Sequence, residues 1–225
     1  MQKIGHRGAK ALVDENTIAS IEKAIELGVD AVEIDIHKCA TGELVVMHDE
    51  TVKRTTNGKG KIVNLSFSEL SMLRTEHMHK IPTLAEVLMV CQGKCKLHIE
   101  LKGKGTAKAA CFLIEATVAQ NKWTYDQLCV SSFDAKRLNK IKARNGNIKV
   151  GLITESKTSK ALAVAVNNNY DNIYIFHEKL RSRFVRMAKQ KNLNVYAWTV
   201  NKPADIKKMQ ALEISGIISD NPDLL

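Results

Sequence analysis

Proline is almost missing from this chain, at 3 of 225 residues, and aromatic residues make up only 5%. With only 12 glycines as well, the composition is that of an ordinary globular protein without a disordered tract. No apolar run approaches the ~20 residues that cross a bilayer. Cysteines number five (Cys39, Cys91, Cys95, Cys111 and Cys129), an odd count with no paired metal-type spacing, for which a reducing compartment is the simplest fit. Cys129 sits in an apolar run, where a thiol behaves as a small hydrophobe. The opening residues, Met1-Gln2-Lys3-Ile4-Gly5-His6, run directly into what reads as a strand and leave no room for an apolar signal segment, so a cytoplasmic location is expected.

Acidic residues are also in deficit, 24 Asp and Glu against 34 Lys and Arg, for a formal charge of +10. Such an excess favours anionic partners through the long-range field. The basic residues are scattered, however, and no polybasic tail is present. The densest stretch, Lys136, Arg137, Lys140, Lys142 and Arg144, reads as a solvated helix face, and no nucleic-acid binding is expected.

What the chain does contain is alternation. Short β-rich runs end near His6, Asp35, Lys102, Phe133, Thr154, Phe176, Thr199 and Ser219, with segments of helical period between them. Asn16 to Leu27 reads as the first helix, with Asn16 as N-cap, Ile18, Ile21 and Ile25 on one face, and Gly28 as terminator. Further helices read near 106–121, 134–144, 157–167, 180–191 and 203–212. Eight strands with crossover helices in a chain of this length predict a single-domain (β/α)₈ TIM barrel over residues 1–225, with a doubly wound open sheet as the alternative. Leu44 to Met47 is also strand-like, but too few residues separate it from Ile36 for a parallel crossover. It must be a β-hairpin excursion after the second strand, and its return brings His48 to the barrel mouth.

Side chains alternate across a strand, so Glu33 and Asp35 share one face of Ala31–Ile36 while Val32, Ile34 and Ile36 share the other. His98, Glu100 and Lys102 share a face in the same way. The outer face of a barrel meets apolar helices, so both charged faces point inward. Three carboxylates and one lysine inside a barrel are costly unless paired or bound to metal. A buried salt-bridge cluster is the competing reading, and it leaves excess negative charge. Carboxylate oxygens at strand C-terminal ends suit a hard divalent ion such as Mg²⁺ or Ca²⁺. His6 and Arg7 close the first strand, Gly5 and Gly8 permit a ligand to approach the backbone there, and the guanidinium can grip phosphate oxygens. Two histidines, an arginine, a lysine and a metal at one mouth read as phosphate-ester chemistry.

These residues resemble the glycerophosphodiester phosphodiesterases, a (β/α)₈ family related to the bacterial phosphatidylinositol phospholipases C. The resemblance runs through His6-Arg7-Gly8, Glu15-Asn16-Thr17, Glu33-Ile34-Asp35, His48-Asp49, Arg54-Thr55-Thr56-Asn57-Gly58, Ile81-Pro82-Thr83-Leu84, Glu100-Leu101-Lys102, Ser132-Phe133, Trp198-Thr199 and Gly216-Ile217-Ile218-Ser219-Asp220. Each string is common; their joint order and spacing are specific. The resemblance implies that Glu33, Asp35 and Glu100 ligate one Mg²⁺ or Ca²⁺ ion, that His6 and His48 form the acid/base pair, that Arg7 and Lys102 contact phosphate, and that Phe133 and Trp198 line the cavity. It implies a small-molecule glycerophosphodiester substrate and no stable membrane association. Asp14 stands where the family commonly has Pro, Cys39 where Thr is usual, and Ser219 where Thr usually precedes Asp220. The stretch from Asp49 to Leu97 is short for the family. A phospholipase C or D acting on intact lipid, and a barrel that binds phosphorylated ligands without turnover, are the competing functions.

Overall fold

The computed structural model describes residues 1–225. Strands β1 (Gln2–His6), β2 (Ala31–Lys38), β4 (Lys96–Leu101), β5 (Leu128–Ser132), β6 (Lys149–Thr154), β7 (Asn172–Phe176), β8 (Asn194–Trp198) and β9 (Gly216–Ser219) pair in parallel, and β1 pairs with both β2 and β9, closing the ring. The expected TIM barrel is therefore the fold, and the open sheet is excluded. Helices α1 (Ile18–Glu26), α4 (Thr106–Ala119), α5 (Ala135–Arg144), α6 (Thr158–Asn167), α7 (Ser182–Lys189) and α8 (Pro203–Ala211) connect the strands. No helix is long and apolar enough to cross a membrane.

Strand β3 (Leu44–Val46) pairs antiparallel with the end of β2, through Ile36↔Val46, His37↔Val45 and Lys38↔Leu44, outside the ring. This is the expected hairpin. It also explains why β2 extends three residues past Asp35: those residues are held by β3. The excursion has a core of its own, built from Cys39, Val45, Met47, Val52, Ile62, Leu70 and Ile81. Two helices were not expected from the sequence: α2 (Phe67–Met72), whose Leu70 completes this small core, and α3 (Leu84–Cys91), which packs Leu84, Val87, Leu88 and Cys91 into the main core and leads into β4. Each starts with a capping box, Ser66 with Glu69 and Thr83 with Glu86, in which hydroxyl and carboxylate satisfy each other's backbone N–H groups.

The N-cap of α1 is Thr17, whose side chain accepts from Ser20 N–H, and not Asn16. Asn16 instead adopts φ 59°, a left-handed conformation that asparagine tolerates, and turns its amide toward β2. The glycines of the β1–α1 turn also serve a different end from the expected one. At Gly8, φ is +85° and a Cβ would lie 2.3 Å from Ser20 Oγ, while a Cβ on Gly5 would lie 2.6 Å from the Gly8 carbonyl oxygen. They let the turn pack onto α1, not onto a ligand.

Outside the ring, Val32, Ile34, Ile36, Leu97, Ile99 and Leu101 pack under the helices in the main core. Each buried aliphatic side chain there contributes about 1.5–3 kcal/mol. Inside, the lower half is closed by aromatic rings: Tyr174 and Tyr196 stack at 4.9 Å, and His98 meets both edge-on. Room for the two tyrosines comes from inward-facing glycines, since a Cβ on Gly151 would lie 2.3 Å from the Tyr174 ring and one on Gly216 2.8 Å from Tyr196. Cys129 belongs to this layer. It is buried as expected, but among polar partners, with Asn172 Nδ2 donating to its sulfur at 3.0 Å and the Tyr174 hydroxyl at 3.1 Å. This aromatic layer separates a cavity at the N-terminal face from the one at the C-terminal mouth.

Candidate active site

Strand register brings the acids together. His6 pairs with Glu33 across β1 and β2, and Asp35 pairs with Glu100 across β2 and β4. Because inward residues alternate, Glu33, Asp35 and Glu100 point into the upper barrel, and one oxygen from each lies within 4.8 Å of the others. All three are buried. Removing a carboxylate from water costs several kcal/mol unless it is well compensated. Leucine or valine at these positions would stabilise the fold more, so stability is not what these residues supply.

Two cations approach the acids from the rim. Lys102 Nζ lies 3.0 Å from Glu100 and 3.7 Å from Asp35, and Arg7 Nε lies 3.2 Å from Asp35. The Arg7 Nε contact is an ion pair without hydrogen-bond geometry. Arg7 N–H donates to Glu33 Oε2 at 3.1 Å, and Asn16 Nδ2 donates to Asp35 Oδ2 at 3.0 Å. Three carboxylates thus face two cationic side chains, and the imbalance is visible in their acidities. Burial, then the charges of Asp35 and Glu100, push the Glu33 carboxyl well above the usual range. Burial and Asp35 push Glu100 up to about 7. Burial would raise Asp35 too, but Arg7 and Lys102 outweigh it and hold it low. A compact set of hard oxygen donors with surplus negative charge fits a divalent cation such as Mg²⁺ or Ca²⁺.

Both histidines stand beside this cluster, each held by a carboxylate at Nδ1. His6 Nδ1 is 2.5 Å from Asp220 Oδ1, and His48 Nδ1 is 2.7 Å from Asp49 Oδ1. An aspartate acceptor keeps the proton on Nδ1 and leaves Nε2 with its lone pair. His6 Nε2 lies 3.9 Å from Glu33 Oε2, and His48 Nε2 accepts from the Lys102 ammonium at 3.0 Å. Burial lowers the pKa of His6 despite the Asp220 hydrogen bond, and burial lowers that of His48 against the pull of Asp35 and Asp49. Burial thus favours the neutral imidazole in each, while the aspartate at Nδ1 steadies the protonated form. Asp220 is itself held down at about 2: burial would raise it, but the His6 bond and charge prevail.

A cavity of about 340 Å³ opens above the cluster, lined by His6, Arg7, Glu33, His48, Glu100 and Lys102. Phe133 and Trp198 also line it, edge to face at 5.7 Å, with the Lys102 ammonium 5.8 Å from the centre of the Phe133 ring. Asp35 lies beneath the cavity, 1% exposed. All nine residues singled out from the sequence thus surround one space.

Several partners were not singled out. Asp220, Asp49, Glu15, Asn16 and Arg54 all lie within the quoted motifs, yet none had a role in the site, Asn16 being read only as a helix cap. Asp220 was findable once the barrel is closed: Gly5 pairs with Ser219, so the residue after β9 must stand beside His6. Asp49 follows His48 directly. Part of the Lys136–Arg144 face is likewise engaged, since Arg137 Nη1 donates to the carbonyls of Leu101 and Lys102 and braces the end of β4.

A family model described as the glycerophosphoryl diester phosphodiesterase family matches residues 6–224. A glycerophosphodiester phosphodiesterase of Caldanaerobacter subterraneus is 30% identical over 99% of this chain and 95% of its own length. The solved structure of an Oleispira antarctica phosphodiesterase, in complex with the product sn-glycerol-3-phosphate, superposes with a TM-score of 0.89 at 28% identity, covering 99% of this chain and 94% of that one. That of a Thermotoga maritima glycerophosphodiester phosphodiesterase gives 0.83 at 27% identity, over 100% and 96%. A match that spans nearly the whole barrel, from His6 to the last turn, makes this chain a member of the glycerophosphoryl diester phosphodiesterase family.

Proposed function

We propose that this chain hydrolyses glycerophosphodiesters to sn-glycerol 3-phosphate and an alcohol, with one Mg²⁺ or Ca²⁺ ion held by Glu33, Asp35 and Glu100 and with His6 and His48 as the proton-transfer pair. The observation that supports this most strongly is convergence: two imidazoles each held at Nδ1 by an aspartate, a carboxylate triad, Arg7 and Lys102 meet at one cavity. When bound, the cation supplies positive charge to the phosphate oxygens and acidifies a nearby hydroxyl. Arg7 and Lys102 bind the same oxygens from the rim, where a phosphodiester's own charge otherwise repels a nucleophile.

The nucleophile is the glycerol hydroxyl next to the ester, whose effective molarity in a well-aligned attack reaches about 10⁵ M or more. One imidazole takes the proton from this hydroxyl through Nε2. The oxygen–phosphorus bond forms as the bond to the departing alcohol breaks, and the other imidazole, in its protonated form, gives that alcohol its proton. The cyclic phosphate is then opened by water with the two roles exchanged, which returns both histidines to their starting state. Phe133 and Trp198 supply apolar surface to the cavity beside Lys102.

The test is a matrix of substrate and metal. Wild type, His6→Ala and His48→Ala are incubated with glycerophosphocholine, glycerophosphoethanolamine and intact phosphatidylcholine, each with Mg²⁺ or Ca²⁺. Release of alcohol from the glycerophosphodiesters by wild type alone is expected. Full activity in either histidine variant overturns the paired mechanism; cleavage of the intact lipid alone overturns the substrate class; binding without product overturns hydrolysis.

A further inference from the structure

The Arg54 loop belongs to neither the acid cluster nor the histidine pair, yet its guanidinium meets a partner of His48 and a partner of Arg7. Arg54 Nε donates to Asp49 Oδ2 at 2.7 Å and Nη2 to Asp49 Oδ1 at 3.0 Å. From its other side Nη1 donates to Glu15 Oε2 at 3.1 Å and Nη2 to Glu15 Oε1 at 2.7 Å. Asp49 Oδ1 is the atom that holds His48 Nδ1, and Glu15 Oε1 is the atom that accepts from Arg7 Nη1 at 2.8 Å. One planar guanidinium, bidentate on two carboxylates, therefore stands a single hydrogen bond away from both His48 and Arg7.

The loop beneath it is fixed. Thr56 Oγ1 donates to the Val52 carbonyl at 2.6 Å, and Val52 is buried in the small core of the excursion. Asn57 pairs with Arg74 in both directions, its N–H donating to the Arg74 carbonyl and its Oδ1 accepting from Arg74 N–H, each at 3.0 Å. Gly58 lies under Leu73, where a Cβ would come within 2.6 Å of Leu73 Cδ1. Arg54 itself is 47% exposed at the side chain. Exposed ion pairs add little to stability. Four charge-assisted bonds on a rigid pedestal are an arrangement that fixes geometry, because each carboxylate is gripped at both oxygens and cannot rotate.

Resting on the function proposed above, we infer that Arg54 is a positioning residue for the reaction. It holds Asp49 so that His48 presents Nε2 to the cavity, and it holds Glu15 so that Arg7 faces the phosphate. Lysine cannot replace it, since a single ammonium cannot grip two carboxylates bidentately. It also links the hairpin excursion to the β1–α1 turn, so the site is completed only when those two segments are tied.

The test compares wild type, Arg54→Ala, Arg54→Gln and Arg54→Lys with glycerophosphocholine and Mg²⁺ or Ca²⁺. Loss of one charged hydrogen bond in each chain to the site gives an expected kcat on the order of 10- to 100-fold lower in all three variants. Thermal midpoints within a few degrees of wild type are expected, since the residue is exposed. Free guanidinium ion should restore part of the activity of Arg54→Ala and none to wild type. Independently of turnover, the His48 Nδ1 proton is followed by NMR: it is observable in wild type and broadened by exchange in the variants. Unchanged kcat, or a lowered kcat with an unchanged His48 proton signal, overturns the inference. If wild type fails to hydrolyse the diester, the proposed function falls, and the NMR comparison alone still decides the role of Arg54.

Discussion

Replacing Asp220 by asparagine should damage the enzyme more than replacing it by alanine, and the reason lies in the amide network around it. Asn201 Oδ1 accepts from the Ser219 hydroxyl at 3.1 Å and from Asp220 N–H at 2.9 Å. Its Nδ2 is thereby fixed as the donor to Asp220 Oδ2 at 2.8 Å. An asparagine at 220 must offer its oxygen to that donor, which turns its NH₂ toward His6 Nδ1. The opposite pull comes from Lys10, 3.7 Å from Oδ1, but that contact is long and partly exposed, so the 2.8 Å bond decides. A donor at Nδ1 forces the proton of His6 onto Nε2, and the lone pair that faces the substrate disappears. Inverting a catalytic tautomer in this way costs on the order of 10³- to 10⁴-fold in kcat. Asp220→Ala removes only a charged hydrogen bond, about 1.5–3 kcal/mol, or roughly 10- to 200-fold. Steady-state kinetics of the two variants at saturating metal measure the difference. An Asp220→Asn enzyme as active as Asp220→Ala would refute the reasoning.

Two further outcomes follow from buried groups. His98, fully enclosed beneath the acids, is lowered by burial to about 3 from an ordinary 6.5. The unfolded chain therefore binds an extra proton below pH 6.5 and stability falls with acidification, by about 1.4 kcal/mol per pH unit, or about 2 kcal/mol at pH 5. Urea unfolding of wild type and His98→Gln at pH 7 and 5 should give a smaller loss in the variant by that amount, and equal losses contradict the assignment. Arg7 spans Glu15 at 2.8 Å and Asp35 at 3.2 Å, a reach that lysine's single ammonium does not reproduce. Arg7→Lys should raise KM for glycerophosphocholine about tenfold or more through the loss of one charged hydrogen bond, and an unchanged KM speaks against phosphate contact.

The parts of this molecule readable from the sequence were those set by local pattern. Alternation in Ala31–Ile36 and Leu97–Lys102 told which face of each strand carried the acids, because a strand has period two and the outer face needs aliphatic residues. Loop length alone required β3 to be antiparallel and so returned His48 to the rim. Contacts made by closing the ring were not readable in the same way. His6 and Asp220 are 214 residues apart, and they meet because β1 and β9 become neighbours when the barrel closes. Arg54 reaches Glu15 across 39 residues from a loop with no regular period. The N-cap of α1 was displaced by one residue because Asn16 serves Asp35, a tertiary demand that overrides local capping preference. Helices α2 and α3 are short: the signal for α2 lay in its capping box Ser66–Glu69, whereas α3 carried both the box Thr83–Glu86 and a helical period in Leu84, Val87, Leu88 and Cys91.

The proposal that Glu33, Asp35 and Glu100 share one cation is tested most directly by product formation in EDTA-treated protein, followed as sn-glycerol 3-phosphate released from glycerophosphocholine while Mg²⁺ or Ca²⁺ is titrated back. The expected result is no product before addition, full recovery for wild type, and for Glu100→Gln a half-saturating metal concentration at least tenfold higher, because a ligand charge is lost while the side-chain shape is kept. Undiminished turnover in EDTA, or identical metal curves for wild type and Glu100→Gln, contradicts it.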